Sequence, residues 1–165
     1  MDFRRAGLEE YGFEGFVGIS YLKENGCGDI PKEMGVYVVI RESSDNVCFL
    51  EESIGGHFKG KNPTVSISEL EDNWIDGAYV INIGKAGGTD IKATLFSRIN
   101  QYIKFGKGKN IGHRGGRYIW QLKDSDELLI AWKPLDDEEP EDVESELIND
   151  FRKQYGERPF ANLQK

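Results

Sequence analysis

Residues 79–88 read YVINIGKAGG, a run that alternates and then stops on a lysine among small residues. Tyr79 to Ile83 fit the two-residue period of a strand, and Gly84-Lys85 begins the turn that closes it. A lysine delivered at the mouth of a strand suggests phosphate chemistry. A P-loop is excluded, because it needs a glycine five residues before Gly84 and Tyr79 stands there. A GxGxxG fingerprint is excluded too, since the glycines fall at 84, 87 and 88.

Upstream, Gly35–Ile40 (GVYVVI) reads as a buried strand. Residues 42–77 form a long excursion, with a short strand over 47–50 and a brief helix from Ser68 to Trp74. It is either a functional insert or surface decoration. Before it, Phe13, Phe16, Ile19 and Leu22 recur every third position, which predicts a helical turn against the core. Downstream, Ile91, Leu95, Ile99 and Ile103 step by four and predict a helix over 91–104. Arg98 and Tyr102, also four apart, share a row beside that stripe. A glycine-rich basic loop follows, then strands over 118–122 and 128–132. Pro140 fits the first position of a last helix, with Glu141 and Asp142 at its positive end. Val143, Leu147, Ile148, Phe151 and Tyr155 form its buried stripe.

The chain has 165 residues, enough for one domain with a core. No apolar run approaches membrane-spanning length, which argues against a membrane partner. The start, MDFRRAGLEEYGF, lacks the apolar stretch of a signal peptide, so a cytoplasmic protein is expected. Cys27 and Cys48 are too few for a disulfide framework and read as free thiols. His57 and His113 cannot build a histidine-rich zinc site.

Net charge is −8, which by itself argues against nucleic acid. The distribution is uneven. Lys85 to Lys123 carries nine bases against the single acid Asp90, whereas Asp124 to Asp150 carries twelve acids against the single base Lys133. A basic middle beside an acidic tail suits phosphate and metal binding. On charge alone, pairing of the two segments with each other is the favoured explanation.

Among the acids of the last helix, Glu144 is the misplaced one. It precedes Ile148 by four, Phe151 by seven and Tyr155 by eleven, so it points with the apolar stripe. A carboxylate so placed needs a cation or donors, and Arg98, Lys85 or a bound metal would serve. A half-buried salt bridge near the helix start is the plainer alternative.

In order along the chain stand Gly35-Val36-Tyr37, Asn82-Ile83-Gly84 with Lys85, Arg98 with Tyr102, Glu144-x-x-Leu147-Ile148 and Pro159-x-x-Asn162. Together they resemble the GIY-YIG nuclease family, over a match running from about residue 35 to the C-terminus. The family's second tyrosine is Asn82 here, and alternation turns nearby Tyr79 to the opposite face. The excursion 42–77 is longer than in compact members.

The resemblance implies an α+β fold: a small GIY-YIG-like domain over 35–165, with a three-stranded, largely antiparallel sheet flanked by helices. Residues 1–34 would be an N-terminal extension packed on it, and 42–77 an insert. It also implies a divalent-metal-dependent endonuclease acting on DNA, with RNA open as a partner. Glu144 would hold Mg²⁺ or Mn²⁺. Tyr37 would position or deprotonate the attacking water, with Lys85 as the cation that lowers its pKa. Arg98 would clamp the scissile phosphate. Tyr102 would bond phosphate or water, or simply pack. His113 would carry a proton or contact phosphate, although a loop histidine more often does neither. Asn162 would tie the tail to the site, beside Asn82, and Gly84 would allow close backbone approach. Double-strand cutting by one site needs two copies or two visits, which leaves a homodimer open. The competing reading is a GIY-YIG-like module that binds nucleic acid without cutting it. A further one is a protein that uses its acidic 136–146 stretch on another partner.

Overall fold

The structure, a computed structural model, describes residues 1–112 and 116–163. Its sheet has four strands rather than the three expected: β1 (Glu14–Gly18), β2 (Gly35–Ile40), β3 (Val80–Ala86) and β4 (Leu129–Pro134). All pairings are antiparallel, and the spatial order is β1-β4-β2-β3. Among the described residues five α-helices accompany them: α1 (Arg5–Tyr11), α2 (Ile19–Asn25), α3 (Ile67–Asn73), α4 (Leu95–Gly106) and α5 (Pro140–Tyr155). No helix among the described residues is long and apolar enough to cross a membrane.

Every residue of β2 is buried, because both faces of the sheet are covered. Successive side chains point to opposite faces. Tyr37 and Val39 join Ile99, Tyr102 and Ile103 of α4. Val36, Val38 and Ile40 join Val143, Leu147 and Phe151 of α5, with Phe3 and Leu8 from the N-terminal segment. The result is three layers, helix on sheet on helix.

The extra strand, β1, comes from the segment expected as an extension. A bulge hides it in the sequence: the register with β4 shifts between Glu14 and Val17, with Gly15 at φ 93° and Phe16 at φ 54°. The added residue breaks the two-residue period and leaves Phe13, Phe16 and Ile19 at a spacing that imitates a helical turn.

Three further expectations are corrected. The helix expected over 91–104 begins at Leu95, because Thr94 and Ser97 form a reciprocal capping box. Ile91 lies outside it, 53% exposed in the preceding loop. The strand expected over 118–122 is a 3₁₀ turn at Ile119–Gln121. There the amides of Gln121 and Leu122 bond three residues back, to Tyr118 and Ile119. The short strand expected over 47–50 is reduced to one bridge, Phe49 to Leu122. The brief helix of the insert is α3, capped by the Ser66 side chain, which accepts from the Glu69 amide at 3.1 Å.

The insert is fastened to the body at several points, two of which bear on the site. Buried Gln121 accepts from the Val65 amide at 3.0 Å and donates to the carbonyls of Leu50 and Val65 at 3.0 and 2.8 Å. Phe49 and Trp74 of the insert, with Tyr118, surround the tail residue Phe160 at centroid distances of 5.9, 5.0 and 5.5 Å. The insert therefore holds the tail that follows α5.

Candidate active site

β3 is an edge strand, and along its free side lies a cleft of about 1100 Å³. The start of α4 forms one wall and the outward row of α5 the other, while the tail closes one end. Because the edge is open, side chains from both faces of the sheet reach the same space.

Tyr37 sits one strand in from that edge, directly opposite Gly84 in the β2–β3 register. A Cβ at position 84 would fall inside the Tyr37 ring and hydroxyl. The missing side chain is thus what lets the phenol cross β3 and line the cleft. Tyr37 is only 3% exposed. Burial pushes its hydroxyl up to about 12; the Arg98 guanidinium opposes this by its charge and by a hydrogen bond, and the charge of Glu144 reinforces it. At neutral pH Tyr37 is therefore a neutral phenol.

Arg98 projects from the second turn of α4, where its Nη1 also donates to Gln101 Oε1 at 3.0 Å. Among the described residues it, not Lys85, is the cation acting on the phenol. Lys85 pairs in register with Val36, so alternation sends it to the α5 face. There its Nζ lies 3.5 Å from Glu141 Oε1, an ion pair that joins the basic segment to the acidic one. Lys85 still lines the cleft, from the far side of the strand.

Glu144 is half-buried at the margin of the α5 stripe, next to buried Val143, and faces the cleft together with half-buried Ile148. Its charge acts on Tyr37 although the two side chains belong to elements on opposite faces of the sheet.

Tyr102, expected among the catalytic residues, stands behind the site. It is fully buried, meets the Tyr37 ring edge-on at 6.0 Å and donates to Asn82 Oδ1 at 3.0 Å. Asn82 Nδ2 donates in turn to Asn162 Oδ1 at 3.0 Å. Asn162 also imitates a strand partner: its Oδ1 accepts from the Ile83 amide at 2.8 Å and its Nδ2 donates to the Ile83 carbonyl at 2.9 Å. Ala161 adds a backbone bond to the Ile81 carbonyl at 2.8 Å. Asn82, buried and bonded through both its amide oxygen and its amide nitrogen, braces the tail against the phenol's support. Tyr79, on the other face, donates to Glu42 Oε2 at 2.9 Å. His113 lies outside the described residues.

Two arginines of the cleft escaped the sequence reading. Arg152 follows Glu144 by eight residues through Ile148, so the four-residue row already placed it on the same side of α5. Arg158 belongs to the turn after α5 and carried no periodic signal. Among the described residues, Lys85, Arg98, Arg152 and Arg158 line the cleft along its length, with Glu144 as its one carboxylate. A chain of net charge −8 thus presents a cationic cleft.

Among the described residues there is no group of three or more His, Cys, Asp or Glu arranged to hold a metal ion. A single carboxylate suits a hard cation such as Mg²⁺ or Mn²⁺ that keeps several waters, and does not suit zinc. Comparison of the chain with family models, curated proteins and solved structures gave no match.

Proposed function

We propose that this chain is a GIY-YIG-type endonuclease that hydrolyses phosphodiester bonds in DNA with a divalent metal ion. The observation that supports it best is the gathering of Tyr37, Arg98 and Glu144 around one cationic cleft, from three elements far apart in sequence. In this reading Arg98 binds the non-bridging oxygens of the scissile phosphate and offsets the charge that grows on them during attack. Tyr37, a neutral phenol, orients the attacking water through its hydroxyl oxygen rather than removing its proton outright. Water adds to phosphorus and gives up a proton to solvent, the bond to the leaving sugar oxygen breaks, and that oxygen takes a proton from solvent to leave as a hydroxyl. Lys85 approaches the strand from the α5 side. Tyr102 and the Asn82–Asn162 pair keep the phenol in place. A Mg²⁺ or Mn²⁺ ion held by Glu144 would supply positive charge at the leaving oxygen and cancel the carboxylate charge that raises the phenol.

The test is cleavage of supercoiled plasmid and of oligonucleotides, with Mg²⁺ or with chelator. Tyr37→Phe, Arg98→Ala and Glu144→Ala should each lose on the order of 10²-fold or more in rate. Undiminished cutting by all three would remove the assignment. The phenol held up to about 12, and Asn82 in place of the family's second tyrosine, favour the non-cleaving alternative. That reading predicts tight, salt-sensitive DNA binding with no metal-dependent product.

A further inference from the structure

Beside the cleft lies a second, smaller hollow of about 240 Å³ with almost wholly polar walls, between the last turn of α5 and the turn that follows it. Arg152, Arg158 and Asn162 line both spaces, so the two arginines stand on the partition between them. Glu157 is the one acid on the smaller hollow among the described residues. Position 152 is eight residues beyond Glu144, about 12 Å along the helix axis at 1.5 Å per residue. A phosphate held at Tyr37, Arg98 and Glu144 does not span that distance.

The dipole of α5 gives a local reason for a cation at Arg152, in its last turn. It gives none for Arg158, which lies beyond the left-handed Gly156 that ends the helix. Arg158 is instead presented by packing. Pro159 after it is buried, and Phe160 is locked among Phe49, Trp74 and Tyr118. A fixed turn thus delivers a second arginine to the wall that the first one lines.

We propose that Arg152 and Arg158 form a subsite for a flanking phosphate, so that the ligand is a nucleic-acid strand running along the β3 edge and not an isolated phosphodiester. This rests on the reading of the cleft as a phosphodiester site. The strand enters over the partition and its scissile phosphate reaches Arg98. The two arginines set substrate length and register; Tyr37, Arg98 and Glu144 act at the bond broken.

The experiment uses the full chain in chelator, with fluorescence anisotropy of a short labelled single-stranded DNA over a series of salt concentrations. Arg152→Gln/Arg158→Gln should weaken binding on the order of 10-fold or more and lower the salt slope by about 0.7, the share of one phosphate on a single strand. Arg152→Lys/Arg158→Lys should restore most of the slope. Hydrolysis of bis(4-nitrophenyl) phosphate, which has no flanking phosphate, should be the same in the glutamine variant as in the parent. Unchanged affinity and slope in a folded glutamine variant would overturn the proposal. If the double variant unfolds, Arg152→Gln alone, at an exposed helix position, decides it by the same reading. Arginine-dependent binding without cutting of either substrate would remove the nuclease reading and leave the subsite. Cutting of DNA with binding indifferent to both arginines would do the reverse.

Discussion

β1 and β3 are both edge strands, yet one is blunted and the other is put to use. β1 is five residues long, and the bulge at Gly15–Phe16 interrupts its pairing pattern. Such a strand is a poor template for another chain. β3 is seven residues long and buried over most of its length. Among the described residues its outward backbone groups are covered only in part: Ala161 takes Ile81 and Asn162 takes both groups of Ile83. By the two-residue period, the next outward pair belongs to Lys85, which lines the cleft. The comparison shows how a site can be sited where edge protection stops.

The largest effect should come from cutting the tail's hold on β3. Phe160→Ala empties the box of Phe49, Trp74 and Tyr118 and should cost about 3–5 kcal/mol in denaturant unfolding. Cleavage should fall further than the unfolded fraction explains, because Asn162 and Arg158 leave with the ring. A loss of stability with full activity per folded molecule would separate the tail from the site.

Gly84→Ala and Gly15→Ala set the two edges directly against each other. The first puts a methyl group into Tyr37 and should reduce cleavage on the order of 10²-fold by displacing the phenol. The second meets the Trp132 ring at a left-handed backbone and should lower thermal stability, by about 1–3 kcal/mol, with kcat of the folded protein unchanged. Equal effects of both on kcat would dissolve the distinction.

Asn162→Ala removes the imitation strand partner and orphans the Ile83 backbone, at a cost of about 1–3 kcal/mol. Hydrogen exchange should accelerate at the Ile83 amide and stay unchanged in β1. The smallest effect is confined to alkaline pH. Burial raises Tyr37 from 10 to about 12 in the folded chain, so the unfolded chain loses that proton first. The stability this residue contributes is present below about pH 10 and drains away as pH rises toward about 12. Tyr37→Phe should make the fall in stability over that range shallower without abolishing it, since Tyr79 and Tyr118 are also raised to about 12. An identical slope in the variant would place the phenol in a wetter setting than the cleft provides.

Period alone exposed the parts of the fold that obey one. The buried run of β2, the alternation of β3, the proline start of α5 and the position of Glu144 on that helix were all legible. β1 was not, because a single inserted residue converts a strand's spacing into something helical. The start of α4 was not either: Ile91 continues the four-residue rhythm, but the Thr94–Ser97 box overrides it. For the site, sequence order brought forward Tyr37, Arg98 and Glu144 but misjudged which cation meets the phenol. That depends on the pairing of Tyr37 with Gly84 and of Val36 with Lys85, a register that no single strand contains. Arg158 depends on a turn held by rings from the insert, a contact between segments more than eighty residues apart.

The gap at Gly84 also makes the phenol of Tyr37 a natural reporter. Reagents that modify tyrosine can approach its hydroxyl from the cleft, whereas Tyr21 is open to solvent at 51% exposure. Labelling should therefore mark Tyr21 early and Tyr37 late, and a strand lodged along β3 should take Tyr37 out of the labelled set.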